Sequence, residues 1–272
     1  IDVDGVVTEE PVWNAAAQLD GVAPDDRVIL TYDRYKPVAP AINASFAQGI
    51  PFRGANLNVD QRSAFSGEPA GALQDLEVNQ KVAYLRGDHS NERPTGNFRE
   101  RPGVEGRLGD IVHSAPTFIG IPSRLGRDSL PFPQGAGDLY SQFRFAHKNR
   151  NPLVYVAAND GMLHGFDAET GDEVIGYLPN NLMTNTYSQD VTNLLDYQYT
   201  HQYFVDSTPA VEDVYMDVDA DGDKEWRTIL ISGQGGGGKA YFALDITDPT
   251  RFGDLTSDQV VLWEVTDEDD TY

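Results

Sequence analysis

The sequence predicts a mainly β fold built around two consecutive four-stranded repeats, and three observations carry that prediction. From Leu108 onward, short runs rich in Val, Ile, Tyr and Phe alternate with turns containing Gly, Asn and Asp, which is how tightly joined strands read. Residues 153–157, 162–167 and 173–178 make a three-strand meander, closed by Asn159-Asp160-Gly161 and Glu169-Thr170-Gly171. The same order then recurs. Asp206-Ser207-Thr208-Pro209 answers His113-Ser114-Ala115-Pro116, residues 229–232 answer 154–157, 241–245 answer 163–167, and 260–265 take the place of 173–178. Repeated four-strand units are the pattern of propeller blades. The expected architecture is a partial, modified β-propeller over 108–272. Blade A spans 108–180 with an insertion at 121–150, and blade B spans 203–266. Two blades cannot close a ring, so the chain is expected to be a fragment, with further blades beyond Tyr272.

Residues 1–107 read as an irregular segment with short helices that leads into the propeller. A helix is expected at 12–19, centred on Ala15-Ala16-Ala17, and a strand at 27–32. The stretch from Lys36 to Pro69 is rich in Pro, Gly, Asn and Ser and reads as loop. Residues 75–85 carry Leu76, Val78, Val82 and Leu85 at near-helical spacing, with Asp75 as the expected N-cap. Residues 86–107 are charged and irregular. A strand is expected at 111–119, and Pro116 places it at an edge, innermost or bulged position. Within the insertion, a loop at 121–138 precedes a short helix at 139–147. Strands at 208–216 and 226–232 open blade B.

Between those last two strands lies Asp217-Val218-Asp219-Ala220-Asp221-Gly222-Asp223-Lys224-Glu225. Asp217, Asp219, Asp221 and Glu225 occupy positions 1, 3, 5 and 9 of an EF-hand-type loop, with Gly222 at position 6 and Asp223 at position 7. The glutamate that such a loop wants at position 12 is replaced by Thr228, and strands stand where helices would flank it. Clustered Asp and Gly also build solvated turns. Yet five carboxylates in nine residues repel one another, which a turn made for geometry alone would avoid. The spacing favours calcium over magnesium, which keeps more of its waters, with the remaining ligands supplied from elsewhere or by water.

The formal charge is −23, from 43 acidic and 20 basic side chains. That excludes a nucleic-acid footprint and docking on an anionic membrane face. Cysteine is absent, which removes disulfides, thiolate metal sites and cysteine nucleophiles. No apolar run approaches the length of a membrane span.

Other constellations are weaker. Gly233 and Gly238-Lys239 have P-loop spacing, but Ala240 replaces the hydroxyl and a strand follows, so the phosphate-binding mechanism fails. The five histidines lack zinc-like spacing, and no serine sits in a nucleophile elbow. Tyr197, Tyr199, Tyr203 and Phe204 form an aromatic run that suits inter-blade packing or a binding surface. Arg86-Gly87-Asp88 is the tripeptide integrins read on a mobile loop. It also ends a predicted helix, where glycine serves as a C-cap.

Several long motifs resemble the PilC/PilY family of type IV pilus proteins: residues 109–116 (GDIVHSAP), 155–164 (YVAANDGMLH), 199–206 (YTHQYFVD) and 241–249 (YFALDITDP). Residues 13–19 (WNAAAQL) and 84–88 (YLRGD) are similar to the upstream part of that family. The resemblance implies a modified β-propeller at the C-terminal end of a large surface protein of a Gram-negative bacterium. Such a protein is exported through the periplasm and sits at the pilus tip or outer membrane. It implies a non-enzymatic role in pilus biogenesis against retraction, twitching motility and virulence, with minor pilins and a host or abiotic surface receptor as partners. It also implies calcium as cofactor in an Asp-rich loop, here Asp217, Asp219, Asp221, Asp223 and Glu225. The integrin-contact tripeptide would correspond to Arg86, Gly87 and Asp88. The alternative is a quinoprotein dehydrogenase binding pyrroloquinoline quinone and calcium, because residues 159–171 also look like a blade of those enzymes. Against it stand the lack of a regularly repeated tryptophan, the unlike N-terminal third and the absence of a candidate base.

Overall fold

Two β-sheets organise the molecule, and the first, a mixed sheet, is larger than the repeat alone predicts. The computed structural model describes residues 12–36, 48–103, 106–122, 128–184, 189–218 and 222–269. In chain order the main elements are α1 (Ala15–Asp20), β1 (Ile29–Tyr32), β2 (Gly49–Pro51), α2 (Val59–Phe65) and α3 (Ala72–Leu85). There follow β3 (Thr117–Ile119), α4 (Tyr140–Ala146), β4 (Leu153–Ala158), β5 (Met162–Asp167), β6 (Glu173–Tyr177) and α5 (Asn181–Thr184). The second repeat supplies β7 (Ala210–Met216), β8 (Glu225–Gly233), β9 (Ala240–Asp245), α6 (Ser257–Val260) and β10 (Val261–Thr266).

The second repeat forms a four-stranded sheet in the order β10-β9-β8-β7, as a blade should. The first does not stand alone. β1 and β2 extend it to six strands in the order β2-β1-β6-β5-β4-β3. β1 runs parallel to β6, with Ile29 opposite Gly176 and Leu30 opposite Tyr177. All four β1 residues are buried, as a strand paired on both edges requires. The N-terminal segment is thus built into the first sheet. Helix and strand each account for about a quarter of the described residues, and no closed propeller forms among them. The two four-strand units are present as expected, but the fold is mixed α and β rather than mainly β, and the first unit is extended by two N-terminal strands.

Local differences have local causes. α2 falls where only loop is expected, because Asn58 and Gln61 make a capping box. Gln61 donates its backbone N–H to Asn58 Oδ1 at 2.9 Å, and Asn58 N–H reaches Gln61 Oε1 at 3.0 Å. α3 begins three residues before Asp75, whose own N–H bonds to Gly71 O at 2.9 Å, so Asp75 lies in the first turn and is not the N-cap. Leu76 faces solvent, and Tyr84 joins Val78, Val82 and Leu85 on the buried side. The strand expected at 111–119 shrinks to β3, since residues 113–116 bond across to the second repeat.

One core runs through both sheets and the helices. Leu30, Phe52, Phe65, Val78, Tyr177 and Phe242 are sealed from solvent, and the Tyr177 and Phe242 rings meet between the sheets at 4.6 Å. A smaller aromatic cluster docks the insertion onto the β7–β8 hairpin. There Trp226 contacts Tyr140 edge-on at 5.0 Å and donates its indole N–H to Asp138 O at 2.8 Å.

Candidate functional site

The acidic stretch is the tip of the β7–β8 hairpin, whose last registered pair is Met216 with Glu225. Asp217 accepts the Gly222 N–H on Oδ2 at 3.1 Å, closing the loop on itself. Its other oxygen, Oδ1, is sealed from solvent and has no hydrogen-bond partner among the described residues. A buried carboxylate oxygen in that condition is costly unless a proton or cation satisfies it. Asp223 is exposed. Glu225 is drawn into an ion pair with Arg227 along the strand, so it would have to leave that pair to act as a ligand. Asp219 and Asp221 lie outside the described residues. Among the described residues, no three His, Asp or Glu side chains are grouped to hold a metal ion.

Arg86-Gly87-Asp88 is the C-terminal stop of α3. Gly87 N–H bonds to Tyr84 O at 2.8 Å and Asp88 N–H to Ala83 O at 2.9 Å, a Schellman motif that needs the left-handed backbone Gly87 adopts at φ 109°. Arg86 is 2% exposed, and its guanidinium donates to the carbonyls of Phe52, Pro24 and Arg27 at 3.0, 2.8 and 2.6 Å. The guanidinium is therefore turned into the protein, and the helix-capping role is the one this geometry supports. Arg86→Ala is expected to unseat three carbonyls and lower thermal stability by about 2–4 kcal/mol. A variant that kept its melting temperature while losing adhesion would restore the display reading.

The two copies of the repeated motif meet each other. His113 donates its backbone N–H to Asp206 Oδ1 at 3.0 Å, and its ring Nδ1 lies 2.5 Å from Asp206 Oδ2. Ala115 N–H bonds to Thr208 Oγ1 at 2.8 Å, and Thr117 Oγ1 donates to Pro209 O at 3.2 Å. Equivalent positions of the two repeats thus form the seam between the sheets. The aromatic run packs only in part, with Tyr197 and Tyr203 still exposed. Tyr197 lies under Arg93, Tyr199 under Arg99, Tyr203 against His113, and Phe204 is fully buried. The glycine-rich turn holds a short 3₁₀ segment at Gly235–Gly237 that leads straight into β9. A Cβ on Gly237 would fall 2.0 Å from Phe204 O, so close backbone approach explains a glycine there.

A buried charge network that sequence spacing does not reveal stands behind the first sheet. His164 is 0% exposed, with Nδ1 2.7 Å from Glu173 Oε1 and Nε2 3.0 Å from Asp160 Oδ2. Arg27 grips Glu173 in a fork, Nε to Oε2 at 2.6 Å and Nη2 to Oε1 at 2.8 Å. Burial alone would lower the His164 pKa, but the two carboxylates outweigh it and hold the imidazolium up to about 9. Glu173 is held well below the usual carboxylate range, burial being overcome by Arg27 and His164. No nucleophile joins this cluster, so its chemistry is cohesive. The only local trace in the sequence is Asp160 and His164 facing each other across a hairpin turn. Arg27 is more than a hundred residues away.

The family profile described as "PilY1 beta-propeller domain" matches residues 108–271. The chain belongs to the PilY1 family. It is 34% identical over 259 residues to the type IV pilus biogenesis factor PilY1 of Pseudomonas aeruginosa strain UCBPP-PA14, covering 94% of this chain and 20% of that protein. A PilY1 homolog of Xylella fastidiosa is 35% identical over 232 residues, covering 80% of this chain and 17% of that one. The crystal structure of the P. aeruginosa PilY1 C-terminal domain aligns at 34% identity with a TM-score of 0.40, over 56% of this chain and 25% of that chain. The chain spans a fifth or less of the length of these curated relatives. Both relatives are named as type IV pilus biogenesis factors. No helix among the described residues is long and apolar enough to cross a membrane.

Proposed function

We propose that this chain is a calcium-binding, non-catalytic module of a type IV pilus tip adhesin and assembly factor. In this reading the parent protein is exported through the periplasm of a Gram-negative bacterium to the pilus tip or outer membrane. It engages minor pilins there, supports assembly against retraction, and contacts a host or abiotic surface. Family membership supports the pilus role. The single observation that supports the metal is the Oδ1 of Asp217 at the root of the acidic hairpin tip, sealed and without a hydrogen-bond partner among the described residues.

Calcium would supply positive charge that offsets the mutual repulsion of the carboxylates and so orders the loop. Asp217 would be the anchoring ligand, since Gly222 N–H already fixes its carboxylate. Trp226, one residue beyond the loop, is held by Asp138 and Tyr140 of the insertion. Ordering of the tip would therefore be felt where the insertion docks, and a surface beside it could switch between two states.

Calcium titration by calorimetry, on this chain and on Asp217→Ala/Asp221→Ala, tests the metal. One site, lost in the double variant and accompanied by a raised melting temperature in the parent, is the expected result. Absence of heat, or unchanged binding in the variant, would reduce the loop to a solvated turn.

A further inference from the structure

A cleft of about 430 Å³ opens between the N-terminal segment and the first sheet. Its walls include Arg99, Arg101 and Arg107 beside Tyr84 and Tyr199, with Asp110 opposite. Three guanidinium groups around one cleft are notable in a chain of charge −23. What decides its chemistry is which of these charges is already neutralised.

Arg101 is buried and bonded through Nε to Glu92 Oε1 at 2.6 Å, with Tyr84 O and Asp88 O taking its other nitrogens. Arg107 donates to the carbonyls of Leu19 and Val22 and faces Asp20 at 3.7 Å. On the acidic wall, Asp160 is paired with His164, and Asp110 sits 2.8 Å from His201 Nε2. Arg99 differs. Its Nε donates to Leu194 O at 2.9 Å and its guanidinium lies 4.4 Å over the Tyr199 ring. Among the described residues it makes no ion pair with a carboxylate. Its plane is thus fixed at one edge by a carbonyl and on one face by an aromatic ring. The Tyr84 hydroxyl also lies within hydrogen-bond reach of this guanidinium, and the fork that suits a bidentate oxyanion carries a charge that no carboxylate among the described residues neutralises. A guanidinium oriented in this way, with its ordering cost already met by the fold, is suited to receive an anion.

We propose that this cleft binds an anionic group, a carboxylate or a phosphate, with Arg99 as the principal donor. The volume suits one such group and its immediate carrier rather than a polymer. The group can come from a free small anion or from an acidic residue of a protein partner, which would then bridge the N-terminal segment and the propeller. This site is separate from the acidic hairpin, and its fate does not depend on calcium.

The test is calorimetric titration of the full chain with two probes, sodium phosphate and an N-acetylated triglutamate peptide, at low and at 0.5 M sodium chloride. Binding of either probe to the wild type, weakened about tenfold or more by Arg99→Gln and weakened by the salt, is expected. Unchanged circular dichroism would exclude misfolding as the cause. Asp110→Asn, which removes an opposing charge at the rim, is expected to tighten binding a few-fold. A response to phosphate alone supports the free anion, and a response to the peptide alone supports the partner. Absence of heat from both probes, or equal binding in Arg99→Gln, would overturn the proposal.

Discussion

Arg27→Leu is expected to destabilise the folded chain by about 3–5 kcal/mol, the cost of removing one partner from a buried ion pair. Arg27 is 3% exposed and stands just before β1. It holds Glu173 at the start of β6 and donates to Arg86 O at 2.8 Å at the end of α3. Its loss leaves Glu173 buried with His164 as its remaining charged partner and frees β1 from the strand it runs beside. Chemical denaturation of wild type and variant, fitted to a common slope, measures the difference. A loss below about 1 kcal/mol would show that the network is solvated and not cohesive.

The same network predicts a pH dependence. The folded pKa of His164 is raised to about 9, against roughly 6.5 for an unperturbed histidine. A raised base stabilises the folded state fully below about pH 6.5 and loses that stabilisation as pH climbs through 9. The melting temperature of the wild type should therefore fall between pH 7 and 9. His164→Gln, which cannot titrate, should be less stable at pH 6 and show a shallower fall.

Glu264→Leu is the second large effect, expected at about 3–6 kcal/mol because it strands three buried donors. Glu264 projects from β10 and accepts the Tyr177 hydroxyl at 2.9 Å and the backbone N–H groups of Asn180 and Asn181 at 2.8 and 2.7 Å. It is the polar link between the second sheet and the end of the first. Burial pushes its carboxyl up to about 7 despite these donors. An acid whose pKa is raised on folding costs stability as pH rises, here from about 4.3 in the unfolded chain to about 7. With His164 acting above that range, stability should peak near pH 5. Below it, Glu173 and Asp160, both lowered in the fold, take up protons and the molecule weakens again. Glu264→Gln should flatten the slope between pH 5 and 7. A wild-type optimum at or above pH 8 would contradict both assignments.

How much of this was legible in the sequence follows from the range of each interaction. β4, β5 and β6 were readable because alternation and turn chemistry act over a few residues. Asn159-Asp160-Gly161 closes the β4–β5 hairpin where its composition says it should. The β7–β8 hairpin and its acidic tip were readable for the same reason. Arg86-Gly87-Asp88 was half legible: glycine announced a helix end, but only burial showed Arg86 pointing inward. α2 was missed because its capping box lies in a stretch whose composition reads as loop.

By itself the sequence determined the repeat, the family and the position of the acidic tip, since identity and spacing along the chain are enough for these. The tertiary structure decided what lies across the chain. It placed β1 beside β6 as a parallel neighbour, set His113 against its own repeat counterpart Asp206, and closed Arg27, Glu173, His164 and Asp160 into one buried network. It also left Arg99 facing a cleft without a carboxylate partner among the described residues. Parallel pairing and buried ion pairs bring together residues tens to more than a hundred positions apart, and no local pattern encodes such partners. They are selected only when burial makes an unpaired charge or an unpaired strand edge too costly to leave.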